Sequence, residues 1–244
     1  MKTYHHPDGA TAYNRYLASP EGVSQQQILN SVFLQELSQS KPLRTLDAGC
    51  GTGWLTNTLH SAGYTTHACD ASATLLEVAQ KNYPHIHFLH ADIQKKLPFQ
   101  TAYFDCIVLN MVIADVQHPG VAFKNLADLL TAQGSMLITL PNPYLTQPVG
   151  MWKRGFKKLI NGKPELKLIP KNYWGQIHQT HAWSSGLGTY FRPLADYIAD
   201  ARQAGLYVNR LTDIQSPHDS TSFDLYYKLH RFPILLLVEF KKLS

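Results

Sequence analysis

The chain has 244 residues, a hydrophobic content of 44% and a formal net charge of +5. This length and apolar content are sufficient for one domain with a large core. No apolar run reaches the roughly 20 residues that a membrane-spanning helix requires, and the polar start MKTYHHPDG is unlike a signal peptide. We therefore expect a single cytoplasmic domain and exclude a membrane-spanning protein.

The three cysteines, Cys50, Cys69 and Cys106, fall in or beside predicted strands or the turn after the first strand. They form no C-x-x-C pair, and no histidine lies at metal-ligand spacing. Buried thiols in a reducing compartment, without a metal ion, are the simplest interpretation.

Residues 1–20 show no clear hydrophobic periodicity. Residues 23–37, VSQQQILNSVFLQEL, predict an amphipathic helix. Its apolar face would contain Val23, Leu29, Val32, Phe33 and Leu37.

Strands then alternate with helices as far as residue 141. The predicted strands are PLRTLDA, THACD, IHFLHADI, YFDCIVLNMV and GSMLITL, and helices are predicted near 53–62, 73–82 and 119–131. The connection QKKLPFQTAY is too rich in proline and lysine to predict a helix. This alternation predicts an α/β fold with a parallel sheet.

Residues 142–191 interrupt the alternation and are rich in Trp, Tyr, Pro, Gly and Lys. A helix, RPLADYIADARQAG, and two strands, LYVNRLTDI and FPILLLVEF, follow. We interpret residues 1–244 as one domain with an N-terminal helical part (1–40), a core (43–141), an insertion (142–191) and a C-terminal part of the sheet (192–244).

Three glycines, Gly49, Gly51 and Gly53, follow the first predicted strand at alternating positions in the stretch LDAGCGTGW. Without side chains they give a turn at which backbone N–H groups can approach a ligand closely. A dinucleotide turn would have the spacing G-x-G-x-x-G and a small residue where Trp54 stands. Asp47 would also repel a pyrophosphate and attract a cationic group. The turn therefore predicts a nucleotide-like ligand with a positive charge, although glycines also serve plain tight turns.

The next three predicted strands end in polar groups, which the carboxyl edge of an open sheet would bring to one crevice. S-adenosylmethionine fits, because it carries a sulfonium and an α-ammonium but no phosphate. Asp70 could accept hydrogen bonds from ribose, Asp92 beside Ile93 from adenine, and backbone carbonyls at Asn110 and Met111 from the ammonium. Taken alone, Asp70 could equally be a helix N-cap and Asp92 a turn residue.

In this order and spacing the segments resemble class I S-adenosylmethionine-dependent methyltransferases, in particular the type 11-like branch that acts on small molecules and lipids. The resemblance covers about residues 43–141. It implies a Rossmann-like sheet of strand order 3-2-1-4-5-7-6 with strand 7 antiparallel, helices on both faces, and a lid insertion after strand 5. The cofactor contacts that it implies are Asp47, Gly49, Cys50, Gly51, Gly53, Trp54, Asp70, Ala71, Leu75, Asp92, Ile93, Asn110 and Met111.

Methyl transfer requires an in-line approach in a dry site, so a lid is expected. Family members commonly build it from the N-terminal segment and the insertion, here residues 4–22 and 142–191. Aromatic residues in these stretches suit a flat or apolar acceptor, although they could equally pack beneath the lid. We expect substrate contacts from Tyr13, Tyr16, Tyr190 and Arg192, the last of which could bind a carboxylate or phosphate or pair with a local acid.

A hydroxyl acceptor would need a general base, and the candidates in the lid are His178 and, preferred, His181. A structural or surface role is the alternative for either histidine, and a carboxylate acceptor needs no base. Quinone-biosynthesis O-methyltransferases carry a Glu-His pair where this chain has Ala114 and Asp115. This departure weakens assignment to that subgroup and to any metal-assisted mechanism.

Positive charge is concentrated in the second part of the chain. Residues 1–140 have a net charge of −2 and residues 141–244 of +7. The basic segment, defined by Lys153, Arg154, Lys157 and Lys158, could contact an anionic membrane surface, an acidic carrier protein or nucleic acid, or form a solvated face of the lid. No RNA-binding motif accompanies it, so nucleic acid is not favoured.

The leading hypothesis is S-adenosylmethionine-dependent O-methylation of a small-molecule or lipid-like acceptor. A second hypothesis is carboxyl methylation of an acyl group on an acidic carrier protein. A third, of another class, is a methyltransferase-like regulatory subunit that binds the cofactor without turnover. A nucleic-acid methyltransferase is disfavoured, because NMVI stands where amino-directed enzymes often have N/D-P-P-Y/F.

Overall fold

A seven-stranded sheet forms the centre of the computed structural model, which describes residues 7–146, 159–160, 163–164, 177–180, 188–216, 230 and 232–243. Its strands are β1 (Arg44–Ala48), β2 (Thr65–Asp70), β3 (Phe88–His90), β4 (Phe104–Asn110), β5 (Leu130–Pro141), β6 (Leu206–Asp213) and β7 (Leu235–Lys242). The order across the sheet is β6-β7-β5-β4-β1-β2-β3. β7 is antiparallel to β5 and β6, and the other neighbours are parallel. The predicted sheet order with an antiparallel strand 7 is confirmed, whereas most of the predicted lid insertion, residues 142–191, lies outside the described residues.

The helices follow the sequence prediction closely after residue 20. They are α1 (Pro7–Leu17), α2 (Pro20–Ser40), α3 (Trp54–Ser61), α4 (Ala73–Asn82), α5 (Pro119–Leu129), α6 (Pro143–Thr146) and α7 (Leu194–Gln203). A 3₁₀ turn, Ile113–Asp115, follows β4. The sequence did not predict α1, nor the short antiparallel pairings of Leu159–Ile160 with Lys163–Pro164 and of Ile177–Thr180 with Gly188–Phe191.

The start of α2 is fixed by its cap. The Ser19 side chain accepts a hydrogen bond from the Gly22 N–H, and Pro20 occupies the first helical position. Four residues of α2 are buried in the core, namely Ile28, Leu29, Phe33 and Leu37. The predicted apolar face was therefore wrong at Val23, which is 42% exposed, and it lacked Ile28.

Successive residues of β4 pack into different cores. Cys106 and Val108 belong to the core that includes Phe33 and Leu37 of α2, whereas Ile107 belongs to the core that includes residues of α5 and α7. Because strand side chains alternate between faces, β4 is covered on both sides and almost continuously apolar. Of the helices in the described ranges, none has the length and apolar character to cross a membrane.

Gly53 lies where the turn after β1 leads into α3. Its φ is +78°, and a Cβ there would lie 2.7 Å from the Phe88 ring and 3.2 Å from the Ala79 Cβ. The missing side chain therefore lets β3 and α4 pack against the start of α3. Gly205 has the same φ of +78°, but no described atom lies within 4 Å of the Cβ position.

We expect Gly53→Ala to lower the free energy of unfolding by about 1–3 kcal/mol more than Gly205→Ala does. Both substitutions place a Cβ in the left-handed region, at a cost of roughly 1–2 kcal/mol. The difference between them therefore isolates the contact with Phe88. Urea unfolding of the wild type and both variants measures it, and equal losses would contradict this packing.

Candidate functional site

A cavity of about 300 Å³ opens at the carboxyl edge of the parallel strands. Its wall is formed by the segments that follow β1, β2, β3 and β4, with side chains of α1 and α2 on the remaining side. Nine predicted cofactor residues line it, namely Gly49, Gly51, Asp70, Ala71, Leu75, Asp92, Ile93, Asn110 and Met111. The predicted substrate residues Tyr13 and Tyr16 line it too.

The glycine turn is held under the cavity by β2. The N–H groups of Gly49 and Cys50 both donate to the carbonyl of Cys69, at 2.7 and 3.0 Å. A Cβ on Gly49 would lie 2.6 Å from Val112, whereas a Cβ on Gly51 would have its nearest neighbour, Tyr13, at 3.7 Å. Gly51 therefore leaves room in the cavity, and Gly49 lets the turn approach the segment after β4.

Asp70 joins the glycine turn to the start of α4. Its Oδ2 accepts a hydrogen bond from the Gly51 N–H at 2.8 Å, and its Oδ1 accepts one from the Ser72 N–H at 2.7 Å. Ser72, and not Asp70, is the N-cap of α4, because its hydroxyl accepts from the Leu75 N–H. These contacts hold the half-buried Asp70 carboxylate in place, where it faces the cavity.

Asp92 is positioned by the residues that follow it. Its Oδ1 accepts a hydrogen bond from the Gln94 N–H at 2.9 Å, and the Gln94 side chain accepts one from the His118 N–H at 2.9 Å. The Asn125 side chain donates to the carbonyl of Ile93 at 3.0 Å. These bonds tie the segment after β3 to the region of α5.

Met111 has a φ of +61°, which is uncommon for a residue with a side chain. Its N–H donates to the carbonyl and to the hydroxyl of Thr139, and that hydroxyl donates to Asn110 Oδ1 at 2.8 Å. β5 thus holds the end of β4 in a strained conformation. Such strain is concentrated at functional sites, and here it lies on the cavity wall.

Four predicted cofactor residues, Asp47, Cys50, Gly53 and Trp54, do not line the cavity. Asp47 is 1% exposed and accepts a hydrogen bond from the Thr56 hydroxyl at 2.6 Å. Burial raises the pKa of Asp47 to about 7, partly offset by this bond. Asp47 therefore lies beneath the turn and outside the cavity lining, and its contact with a cationic ligand stays a prediction.

The other three residues outside the lining have packing roles. Cys50 is buried among residues of α4 and β3, and Trp54 packs against the core beneath α2. Gly53 makes way for Phe88, as described above. The three cysteines are buried free thiols, as expected.

The N-terminal helices contribute polar side chains to the cavity. Tyr16 donates a hydrogen bond to Gln25, and both side chains line it. Burial raises the pKa of Tyr13, and the nearby carboxylates of Asp115 and Asp70 raise it further, so this phenol stays protonated at neutral pH. The sequence analysis missed α1, whose buried side chains include the small residues Ala10 and Ala12.

The described lining is acidic. It contains the carboxylates of Asp70, Asp92 and Asp115 and no lysine, arginine or histidine. A negative lining in a partly closed cavity attracts a cationic ligand and disfavours a phosphate. Among the described residues no cluster of three His, Cys, Asp or Glu side chains could hold a metal ion.

Sequence reasoning missed further lining residues, including Val112, Ala114, Asp115 and Val116 of the segment after β4. Tyr190 is half-buried and Arg192 is 2% exposed, and neither lines the cavity. His178 lies in the Ile177–Thr180 strand. His181 and the basic segment (Lys153, Arg154, Lys157 and Lys158) lie outside the described residues.

Comparisons with known proteins agree with this geometry. Residues 46–138 match a family model described as a methyltransferase domain. The malonyl-[acyl-carrier protein] O-methyltransferase of Halalkalibacterium halodurans is 34% identical over 43% of this chain and 42% of its own length. The ubiquinone biosynthesis O-methyltransferase of Xylella fastidiosa is 27% identical over 77% of this chain and 71% of its own length.

An S-adenosylmethionine-dependent methyltransferase structure from Mesorhizobium loti has the same fold, with a TM-score of 0.66 and 20% identity over 82% of this chain and 91% of its own. The chain spans about half the length of the malonyl-[acyl-carrier protein] O-methyltransferases that it matches. The matched part contains the glycine turn and the carboxyl ends of β2, β3 and β4.

The pKa of Asp47 predicts a pH dependence of stability. Between about pH 4 and pH 7 the folded protein keeps a proton that the unfolded chain loses, so stability falls as pH rises through this window. Asp47→Asn has no such proton and can still accept from Thr56. We expect the free energy of unfolding of the wild type, relative to Asp47→Asn, to fall by about 3–4 kcal/mol from pH 4 to pH 7.

Urea unfolding at several pH values measures this difference. The exposed Asp128 provides a control, since Asp128→Asn should track the wild type across the same window. A constant difference between wild type and Asp47→Asn would show that folding does not raise the pKa of Asp47.

Proposed function

We propose that the chain is a class I S-adenosylmethionine-dependent O-methyltransferase, since residues 46–138 match a family model described as a methyltransferase domain. The observation that carries the proposal is the acidic cavity at the carboxyl edge of β1, β2, β3 and β4. It brings together Gly51, Asp70, Asp92 and Met111, which lie far apart in the sequence. No dinucleotide turn or phosphate-binding cation accompanies them in the described residues.

The residues present fit the family's cofactor. In this proposal Asp70 would accept hydrogen bonds from the ribose hydroxyls, and Asp92 with Ile93 would hold the adenine. The acidic lining suits the ammonium and the sulfonium, and the open position at Gly51 leaves room for the ligand. When bound, S-adenosylmethionine supplies an electrophilic methyl group on a positively charged sulfur.

Apart from its three carboxylates, the described lining offers no group that could remove a proton from an acceptor. It has no histidine, lysine or cysteine, and burial raises the pKa of the Tyr13 phenol, which stays protonated. A carboxylate oxygen is nucleophilic without a base. For a hydroxyl acceptor on a small-molecule or lipid-like substrate, His181 remains the proposed base.

Carboxyl methylation of an acyl group on an acidic carrier protein is the second candidate function. Two observations favour it, namely the malonyl-[acyl-carrier protein] relatives and the +7 charge of residues 141–244. The basic segment would contact the carrier, and an acidic carrier would be steered to it electrostatically. An anionic membrane surface is the corresponding partner for a lipid-like acceptor.

We expect calorimetry to show that S-adenosylhomocysteine binds the wild type and that its Kd rises about 10- to 100-fold in Asp70→Ala and in Asp92→Ala. Each substitution removes a charged acceptor from the cavity. Asp128→Ala, on exposed α5 surface, should bind as the wild type does. Absence of binding by the intact wild type would refute the proposed function.

A methyl-transfer assay with labelled S-adenosylmethionine tests the acceptor. We expect transfer to malonyl-acyl-carrier protein with a kcat/KM that falls about 10-fold or more when Lys153, Arg154, Lys157 and Lys158 are all changed to Gln, because steering is lost. Transfer to a free malonyl thioester should not change. Neutralising four exposed lysines elsewhere (Lys81, Lys95, Lys96 and Lys124) is the matched control.

If the two sets of substitutions lower kcat/KM equally, the basic segment has no specific role in carrier recognition. Transfer to neither acid, with transfer to a phenol or alcohol instead, would favour the small-molecule function. Tight cofactor binding without transfer to any acceptor would favour the regulatory subunit.

A further inference from the structure

Arg192 is a buried cation with two unused donors. The side chain is 2% exposed, and its Nη2 donates to the carbonyl of Gln117 at 2.7 Å. Nε and Nη1 are buried and have no hydrogen-bond partner among the described residues. Leaving donors of a charged group unpaired in a buried site is costly, so the arrangement indicates an anion that is not part of the described chain.

The surroundings of Arg192 do not supply that anion. The rings of Tyr190 and Tyr197 lie 4.8 and 6.0 Å from the guanidinium carbon, which stabilises its charge without using Nε or Nη1. Asp200 is close enough for Arg192 to influence its pKa, yet Arg192 makes no ion pair with a carboxylate of the described residues. The two aromatic rings and the Asp200 carboxylate therefore compensate the positive charge of Arg192 only in part.

Arg192 lies directly behind one wall of the cavity. Its hydrogen-bond partner, Gln117, follows the lining residue Val116, and the strand that precedes Arg192 packs against the 3₁₀ turn Ile113–Asp115. That turn follows β4, whereas Asp70 and Asp92 follow β2 and β3 on the other side of β1. Arg192 is thus on the β4 side of the cavity, next to the turn that follows the proposed ammonium contacts Asn110 and Met111 and away from the proposed ribose and adenine contacts.

We propose that Arg192 binds the carboxylate of the methyl acceptor, so that the substrates are carboxylic acids. The inference rests on the proposed function. A guanidinium binds a carboxylate through two parallel N–H donors on one edge, and the unused Nε or Nη1 can form such an edge with the Nη2 hydrogen that Gln117 does not use. In the transfer a carboxylate oxygen forms a bond to the methyl carbon as the carbon–sulfur bond breaks, the electron pair stays on sulfur, and no proton is released.

This assignment also gives a reason for product release. Methylation converts the carboxylate into a neutral ester, which can no longer form charge-assisted hydrogen bonds with Arg192. The acid should therefore bind more tightly than its methyl ester. It also explains how an anionic acceptor is accepted next to the three carboxylates of the lining.

Calorimetry with the full chain, saturated with S-adenosylhomocysteine, tests the proposal. The probes are the N-acetylcysteamine monothioester of a three-carbon dicarboxylic acid and the methyl ester of that compound. We expect the wild type to bind the acid about 10- to 100-fold more tightly than the ester. Arg192→Gln should bind the two probes equally while its affinity for S-adenosylhomocysteine stays within about twofold.

Arg202→Gln is the control, because Arg202 is exposed on the same helix, α7. It should keep the wild-type preference for the acid. If Arg192→Gln fails to fold, Arg192→Lys decides, since a lysine keeps the charge but not the fork and should lose part of the preference.

The assignment of Arg192 is overturned if the wild type binds S-adenosylhomocysteine but shows no preference for the acid, or binds neither probe. The proposed function would still stand in that case. An unchanged preference in a folded Arg192 variant overturns the assignment as well. A wild type that fails to bind S-adenosylhomocysteine instead overturns the proposed function itself.

Discussion

The cavity depends on the bridge that Asp70 makes between two chain segments. Its two carboxylate oxygens accept hydrogen bonds from the Gly51 N–H, in the turn after β1, and from the Ser72 N–H, where α4 starts. These two hydrogen bonds hold Gly51, in the glycine turn, against the end of β2. The same carboxylate lines the cavity, so the group that shapes the site is also the group best placed to bind in it.

Charge is divided between two sides of this site. Carboxylates at the ends of β2 and β3 and in the turn after β4 make the cavity negative, which suits a ligand with a sulfonium and an ammonium. Behind the turn after β4, Arg192 is a buried positive group with donors to spare. An acid and a cationic methyl donor could therefore be bound side by side, each against the opposite charge.

The parallel sheet and most of the lining could be predicted from sequence, because strand ends in such a sheet meet at one edge and Gly51, Asp70 and Asp92 stand at those ends. Asp47 could not be placed correctly, since whether a strand-end side chain lies under or in the cavity depends on a partner such as Thr56. The burial of Arg192 had no sequence signal either, because its neighbours Gln117 and Tyr197 are brought together only by the packing of α7.

A crystal structure of the chain with S-adenosylhomocysteine tests the central claim most directly. The account predicts that the ligand occupies the cavity, with its ribose hydroxyls within about 3 Å of the Asp70 carboxylate and its adenine against Asp92 and Ile93. Its sulfur should face the segment that follows β4. Density for the ligand at another place, or a ribose that does not contact Asp70, would contradict the account.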